Sequence, residues 1–137
     1  MVDTPDGYRP SDDEPFMNER QLAYFKHKLL TWKEEILGQS RLTIEQMQES
    51  SLHLADPADR ASSETDHSLE LRTRDRQRKL ISKIDSALRR IEEGEYGYCE
   101  ESGEPISLKR LDARPTATMT LEAQEQHERK EKVHRDD

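Results

Sequence analysis

Apolar residues recur along the first half of the chain with the spacing of a coiled coil. They are separated by alternating steps of three and four residues, at Leu22, Phe25, Leu29, Trp32 and Ile36. This heptad spacing places them on one side of an α-helix. The pattern continues with fewer apolar residues toward Leu54. Asn18 is suited to cap the helix and Gln21 completes a capping box, so we predict one helix from about Asn18 to His53.

A second helix is predicted after a short interruption at Asp56 and Pro57. Proline disfavours helical geometry at the residue before it but suits the first position of a new helix, and aspartate suits its cap. We predict this helix from Pro57 or Ala58 to Glu93, with Gly94 ending it. Its apolar seam is predicted at Leu69, Thr73, Leu80, Ile84, Ala87 and Ile91. Two matched seams joined by a tight turn predict an antiparallel helical hairpin, apolar near its base and polar toward its tip.

Four segments of different character follow from these patterns. Residues 1–16 are rich in Pro and Asp without periodicity, which predicts a flexible acidic leader. Residues 17–94 form the hairpin, with its tip near 54–61. Residues 95–118 are dense in turn residues and predict a small globular unit of loops or β-ribbon, and residues 119–137 form a C-terminal helix and tail. The predicted fold class is mainly α.

The last helix and the core can be placed only coarsely. We predict that Thr116 or Thr118 caps the C-terminal helix, which then begins near Met119. We expect Phe25 and Trp32, at the base of the hairpin, to pack on the globular unit and to form the main core.

Composition narrows the classes of function. Charged residues make up 38% of the chain and hydrophobic residues 31%, which suits long solvated helices with a narrow apolar seam. The net charge of −8 argues against free nucleic acid as the main partner, because duplex binding relies on a basic surface. A single cysteine excludes an intrachain disulfide framework, and no apolar run approaches the length of a membrane span. We expect a cytoplasmic, monomeric protein, and no catalytic motif in the sequence argues for an enzyme.

The segment EYGYCEESGEP around Cys99 is similar to the first half of a zinc ribbon. A closed structural zinc site uses four Cys or His ligands. Ribbon spacing assigns the four positions to Cys99, Ser102, Thr120 and Ala123, of which only the first is a thiol. We therefore expect no zinc. Cys99 is interpreted as a small buried packing residue, and it has no resolving partner for redox chemistry.

Two charged segments of the hairpin each admit a structural and a functional interpretation. Asp56 and Asp59 either stabilise the start of the second helix or place carboxylates at the end of a narrow arm that can enter a charged cavity. The run from Glu70 to Lys79 contains five Lys or Arg residues. It is either a solvated face, with Glu70 paired to Arg74, or a surface that docks on acidic protein or holds a phosphate-bearing ligand. These residues alone leave the alternatives open.

Long segments resemble the DksA family of bacterial transcription factors. They are MNERQLAYFKHKLLTWKEEI, ADPADRAS, SLELRTRDRQRKLISKI and YGYCEESGEPISLKRLDARPTA, and the resemblance spans about Phe16 to Glu131. It implies binding to RNA polymerase, without sequence-specific DNA binding, through a coiled-coil arm inserted into the secondary channel. It also implies destabilised open complexes, for example at ribosomal RNA promoters, and action with the alarmone ppGpp in the stringent response.

The resemblance also implies roles for individual residues. Asp56, Asp59 and Ala61 match the family's tip residues near the polymerase active site, and Arg76 matches a contact with the channel rim. Zinc-dependent members carry four cysteines, whereas this chain, with Cys99 alone, is similar to zinc-independent variants with a degenerate ribbon.

The family's contacts to ppGpp correspond to Leu80, Lys83, Arg114 and Gln124. The fourth position is basic in the family, and Gln124 keeps a hydrogen-bond donor but loses the charge. Because charged donors bind phosphate more strongly than neutral ones, we expect a weaker ppGpp response unless Arg129 or Lys130 substitutes.

Two other functions stay open from the residues. The first is a structural coiled coil that self-associates through its seam, although the polar tip half counts against it. The second is a secondary-channel factor of the transcript-cleavage type, which uses tip acids to hold a second Mg²⁺. The DPADRA tip and the ribbon resemble the DksA family and not the cleavage type.

Overall fold

The computed structural model describes residues 7–52 and 57–136, with side chains described outside 50–52, 57–63 and 134–136. In these ranges the chain forms α1 (Glu19–Leu52), α2 (Pro57–Glu93), α3 (Leu108–Ala113) and α4 (Leu121–Asp136). The long helices α1 and α2 match the predicted bounds to within one residue, and they pair antiparallel, with Lys26 bonded to Glu92 and Lys33 to Asp85. The fold is mainly α, as predicted. None of the helices in the described ranges carries an apolar stretch long enough to cross a membrane.

Local capping interactions fix one end of each long helix, the start of α1 and the end of α2. At the start of α1, the Asn18 side chain accepts a hydrogen bond from the backbone N–H of Gln21 at 2.9 Å. The Gln21 side chain reaches back to the N–H of Met17 at 2.8 Å, one residue before the N–H that a capping box would use. The start of α1 is therefore fixed by a variant of the predicted box.

The end of α2 is a Schellman motif. Gly94 has φ +77, in the left-handed region that favours glycine. Its N–H bonds the carbonyl of Ile91 at 3.3 Å, and the N–H of Glu95 bonds the carbonyl of Arg90 at 2.9 Å. These two bonds satisfy carbonyls that the helix end leaves without partners, and the predicted stop at Gly94 is confirmed.

The chain divides into two compact units, which share the two long helices. The terminal unit comprises Met1–Leu29 and Ser86–Asp137, and the middle unit comprises Leu30–Asp85. In the terminal unit, Phe25 is fully buried and its ring centroid lies 5.6 Å from that of Tyr96. The Tyr96 hydroxyl donates to the carbonyl of Pro115 at 2.7 Å, so its buried oxygen is satisfied. Phe25 thus lies in this core as expected, whereas Trp32 belongs to the middle unit and is half-buried.

In the middle unit, the seam between the helices changes from apolar to polar. Ile36 and Ile84 are buried, and no described side chain at 37–49 or 64–83 is buried to the same degree. Seven-residue steps from Ile84 lead along α2 to Gln77 and Glu70, and both are half-buried.

The seam predicted for this part of α2 is partly wrong. Leu69 is 53% exposed and therefore lies outside the seam. Atoms of Glu70, Arg74 and Gln77 are instead shielded from solvent without a hydrogen-bond partner among the described residues. Glu70 and Arg74 accordingly do not form the surface pair that their spacing suggests.

Residues before α1 pack on the terminal unit. The ring centroids of Tyr8 and Tyr24 lie 6.1 Å apart. The Arg20 guanidinium lies over the Tyr8 ring, 4.6 Å from its centroid. Phe16 stacks edge-on against Tyr98 at 5.4 Å. The prediction of a flexible leader over residues 1–16 did not anticipate these contacts, and residues 1–6 lie outside the described part of the chain.

Residues 95–118 form a compact loop structure with one short helix. Tyr98 and Pro105 make an isolated antiparallel bridge, and the N–H of Ile106 bonds the carbonyl of Gly97 at 2.7 Å. Ser107 caps α3 by accepting from the N–H of Arg110. The last helix begins later than predicted, because Thr120, and not Thr116 or Thr118, supplies the capping oxygen.

Candidate functional site

The predicted tip falls between the end of α1 and the first residues of α2. Asp56 falls outside the described residues, and Asp59 and Ala61 lie in the helical backbone of α2, which begins at Pro57. Asp59 is therefore in the first turn of a helix, where a carboxylate interacts favourably with the helix dipole. This position is compatible with both interpretations of the residue, capping and function.

The basic run of α2 is exposed and unevenly paired. Asp75 accepts from Lys79 at 3.1 Å and from Arg78 at 2.5 Å, and these bonds lower the pKa of its carboxyl group. Arg76 is exposed and donates to the Thr73 hydroxyl at 3.4 Å, with no carboxylate partner among the described residues. Arg72 and Arg76 line a shallow groove on α2 beside the exposed Leu69 and Leu71. This surface combines uncompensated positive charge with apolar side chains.

The residues matched to ppGpp contacts lie on different elements. Leu80 and Lys83 lie about one turn apart on α2, in the middle unit. Leu80 is half-buried and Lys83 is exposed. In the terminal unit, Arg114 is exposed at the end of α3, and Gln124 on α4 donates to Glu128 at 3.1 Å. The Gln124 amide is therefore engaged within its own helix.

At the four positions of the degenerate ribbon, polar groups of Ser102 and Thr120 surround the Cys99 sulfur. Cys99 is 4% exposed, and the Thr120 hydroxyl lies 4.0 Å from its Sγ. Burial raises the pKa of the thiol, but hydrogen bonds from the Ser102 side chain and from the backbone at Ser102, Thr120 and Glu101 outweigh it. The pKa falls from its ordinary value of 9.0 to about 7. The buried Ala123 donates its backbone N–H to the Thr120 hydroxyl at 3.2 Å.

This cluster does not fit a zinc ion. A structural site needs four thiolate or imidazole ligands, and these positions offer one thiol, two hydroxyls and a methyl group. Among the described residues, no group of three or more His, Cys, Asp or Glu side chains is arranged to hold a metal. Hydrogen bonds and packing occupy the place that metal ligands take in a zinc ribbon.

A second group of cations lies on α3 and at its C-terminal end, and the sequence motifs had identified only one of them, Arg114. Lys109, Arg110 and Arg114 line an open cavity of about 680 Å³ together with Ser107 and Leu121. We call it the α3 cavity. Its cations come from the segment LKRLDAR, whose charge density is visible in the sequence, but their convergence depends on how α3 is placed.

Comparisons with known proteins match most of the chain to a single family. Residues 21–91 match the family model described as "DnaK suppressor protein DksA, N-terminal domain", and residues 94–129 match "Prokaryotic dksA/traR C4-type zinc finger". The RNA polymerase-binding transcription factor DksA of Caulobacter vibrioides is 74% identical over 130 residues, covering 95% of this chain and 92% of that protein. The protein of the same name from Haemophilus influenzae is 42% identical over 125 residues, covering 91% and 86%.

A solved structure shares the fold. Transcription factor DksA2 from Pseudomonas aeruginosa superposes with a TM-score of 0.81 at 38% identity, covering 88% of this chain and 95% of that one. The similarity therefore extends from the hairpin to the segment that follows it.

Proposed function

The chain belongs to the DksA family, and on that premise we propose that it binds bacterial RNA polymerase and regulates transcription. The observation that carries the proposal is the 74% identity, over 95% of this chain, to a relative named as an RNA polymerase-binding transcription factor. Such identity leaves little room for a different partner. The proposed mechanism is positional and involves no catalysis by this chain.

The proposed route of binding is the secondary channel of the polymerase. Two packed helices form a narrow element, since each helix with its side chains is roughly 10–12 Å across. Asp56, Asp59 and Ala61, between the end of α1 and the start of α2 in the sequence, would then lie near the polymerase active site and destabilise open complexes, for example at ribosomal RNA promoters. Carboxylates at this place repel nucleic-acid phosphates and compete for cationic protein groups or Mg²⁺.

The proposed contact with the channel rim is Arg76. Its side chain is exposed and lacks a carboxylate partner among the described residues, so its positive charge is available to an acidic surface. The exposed Leu69 and Leu71 beside it add apolar area, as expected for a protein interface.

The proposed effector is ppGpp, bound where this protein meets the polymerase and acting in the stringent response. Leu80, Lys83, Arg114 and Gln124 are the proposed contacts. Lys83 and Arg114 are exposed and carry the positive charge that phosphate requires.

Exchange of Asp59 for Asn tests the role of the tip. We expect Asp59→Asn to keep polymerase affinity within about twofold, because asparagine has nearly the same size and shape as aspartate. It should nevertheless remove most of the inhibition of transcription from a ribosomal RNA promoter, because the negative charge is lost at the acting end. Both quantities can be measured in vitro with purified polymerase.

Asp66→Asn is the matched control, because Asp66 is an exposed carboxylate further along the same helix. It should bind and inhibit like the unchanged protein. If Asp59→Asn loses affinity and inhibition in equal proportion, the tip serves binding alone and the proposed effector role is wrong.

A further inference from the structure

We propose that Lys109, together with Arg114, binds the phosphate groups of a polyphosphorylated nucleotide in the α3 cavity. This inference rests on the proposed function, because ppGpp is the nucleotide in question. It adds Lys109 to the four residues that the family resemblance matched, and the reason is that Lys109 lines the same cavity as Arg114.

The α3 cavity has the size and lining of a small-ligand site. Its volume of about 680 Å³ falls in the range of roughly 300–1,000 Å³ found for such sites. Pro105 and Leu121 contribute apolar surface, and Leu121 is 54% exposed although it is a large hydrophobic residue. A cavity lined by both cations and apolar groups suits a ligand with both phosphates and a ring.

The walls of the cavity are fixed by hydrogen bonds within the terminal unit. Lys28 on α1 donates to the carboxylate and to the carbonyl of Asp112 on α3, both at 2.7 Å. Arg110 donates through Nε to the carbonyl of Met119 at 2.9 Å, which ties α3 to the segment before α4. The backbone that carries Lys109 and Arg114 is therefore held in place before a ligand binds, and binding has to order only their side chains.

The charges of Lys109 and Arg114 are not used inside the protein. Both side chains are exposed, and neither forms an ion pair or a side-chain hydrogen bond with the described residues. This is notable in a chain with a net charge of −8, where carboxylates are abundant. Glu104 and Glu122 also line the cavity, yet the three cations outnumber them. The balance favours an anionic ligand.

Lys109 also offers the charge that Gln124 lacks. Gln124 itself does not line the cavity, and neither do the basic residues Arg129 and Lys130 of α4; Arg129 lies 3.9 Å from Glu125. Lys109 lines the same cavity as Arg114. An ammonium group there can contribute a charge-assisted bond to phosphate, which the neutral amide cannot.

The test compares Lys109→Gln, Lys109→Arg and Lys130→Gln in transcription from a ribosomal RNA promoter at increasing ppGpp. We expect Lys109→Gln to raise the ppGpp concentration for half-maximal effect about tenfold, the loss expected for one charged hydrogen bond. Inhibition without ppGpp should stay unchanged. Lys109→Arg should keep the response because it keeps the charge. Lys130→Gln removes the same charge from an exposed α4 position and should respond like the unchanged protein.

Each outcome separates the inference from the function on which it rests. If Lys109→Gln matches Lys130→Gln, Lys109 does not bind the nucleotide. If Lys109→Gln weakens inhibition equally with and without ppGpp, Lys109 contacts the polymerase, and the inference is wrong although the proposed function stands. If the unchanged protein shows no response to ppGpp, the proposed effector fails and the inference fails with it.

Discussion

At the scale of single residues, Cys99 shows how a thiol can remain in a ribbon that has lost its other zinc ligands. Its sulfur is nearly inaccessible and stands among hydroxyl and amide donors, which favour the thiolate over the thiol. In a zinc ribbon the metal would supply that stabilisation. Here Ser102 and Thr120 supply part of it, so the cluster is polar and internally hydrogen-bonded.

The lowered pKa of Cys99 predicts a pH dependence of stability. The folded pKa, about 7, is below the ordinary value of 9.0 that applies to the unfolded chain. The folded state therefore favours the thiolate, and the free energy of unfolding should rise as the pH increases from about 7 to about 9. This gain is fully present above the unfolded pKa and is lost as the pH falls through the folded pKa.

Urea unfolding of the unchanged protein and of Cys99→Ser at pH 6.5, 8 and 9.5 isolates this contribution. The difference in unfolding free energy between the two proteins should grow with pH, because serine does not ionise in this range. Parallel pH profiles would show that the thiol titrates alike in the folded and unfolded chains.

At the scale of elements, the sequence predicted the long helices well because their signals are local. Heptad spacing, Asn18, Pro57 and Gly94 each act through neighbouring residues, and α1 and α2 begin and end within one residue of the prediction. The seam of α2 was less predictable. Leu69 and Leu71 are apolar but exposed. The rotation of the helix about its axis is set by the buried Ile84, and it places Gln77 and Glu70 in the seam instead. Helix phase is decided by packing, which composition does not reveal.

Exchange of Gln77 for Leu should strengthen the hairpin. Oε1 of Gln77 is shielded from solvent and has no hydrogen-bond partner in the described part of the chain, and such a group is unfavourable when buried. Leucine at this seam position removes the unpaired oxygen and adds apolar contact, so we expect a gain of about 1 kcal/mol in unfolding free energy.

Arg78→Leu is the control, since the side chain of Arg78 is 81% exposed on the same helix. It alters helix propensity by a similar small amount without filling the seam. Urea titration followed by circular dichroism compares the two variants. Equal stability of Gln77→Leu and Arg78→Leu would mean that Gln77 does not lie in the seam.

At the scale of the whole molecule, the tip and the ribbon positions followed from motifs, whereas the α3 cavity did not. A motif identifies residues that are close in sequence. Lys109 and Leu121 meet at one cavity only because Lys28 and Arg110 hold α3 in place. The contacts of Tyr8 and Phe16 with the terminal unit were missed for the same reason, since they join residues far apart in the sequence.

The donor set around Cys99 predicts that the fold is insensitive to metal chelators. The thermal midpoint should be the same with and without EDTA, and purified protein should contain no stoichiometric zinc. The chain also offers a designed comparison, because Ser102→Cys, Thr120→Cys and Ala123→Cys together would create four thiols at ribbon spacing.

In that triple variant, zinc should raise the thermal midpoint and EDTA should lower it, because metal binding contributes to folding. The response of the variant verifies that the assay detects a zinc ribbon. A fall in the midpoint of the unchanged protein on adding EDTA would contradict its independence from metal.

In the middle unit, the seam is apolar at Ile36 and Ile84 and polar at Gln77 and Glu70. This difference predicts which part of the hairpin opens first when it unfolds locally. Helices that share little buried apolar surface separate at low free-energy cost, and well-packed layers separate only near the cost of global unfolding. Amide hydrogens near Glu70 should therefore exchange with solvent much faster than those near Ile84. We therefore expect the two helices to separate first near Glu70, while the apolar layer at Ile36 and Ile84 keeps them paired.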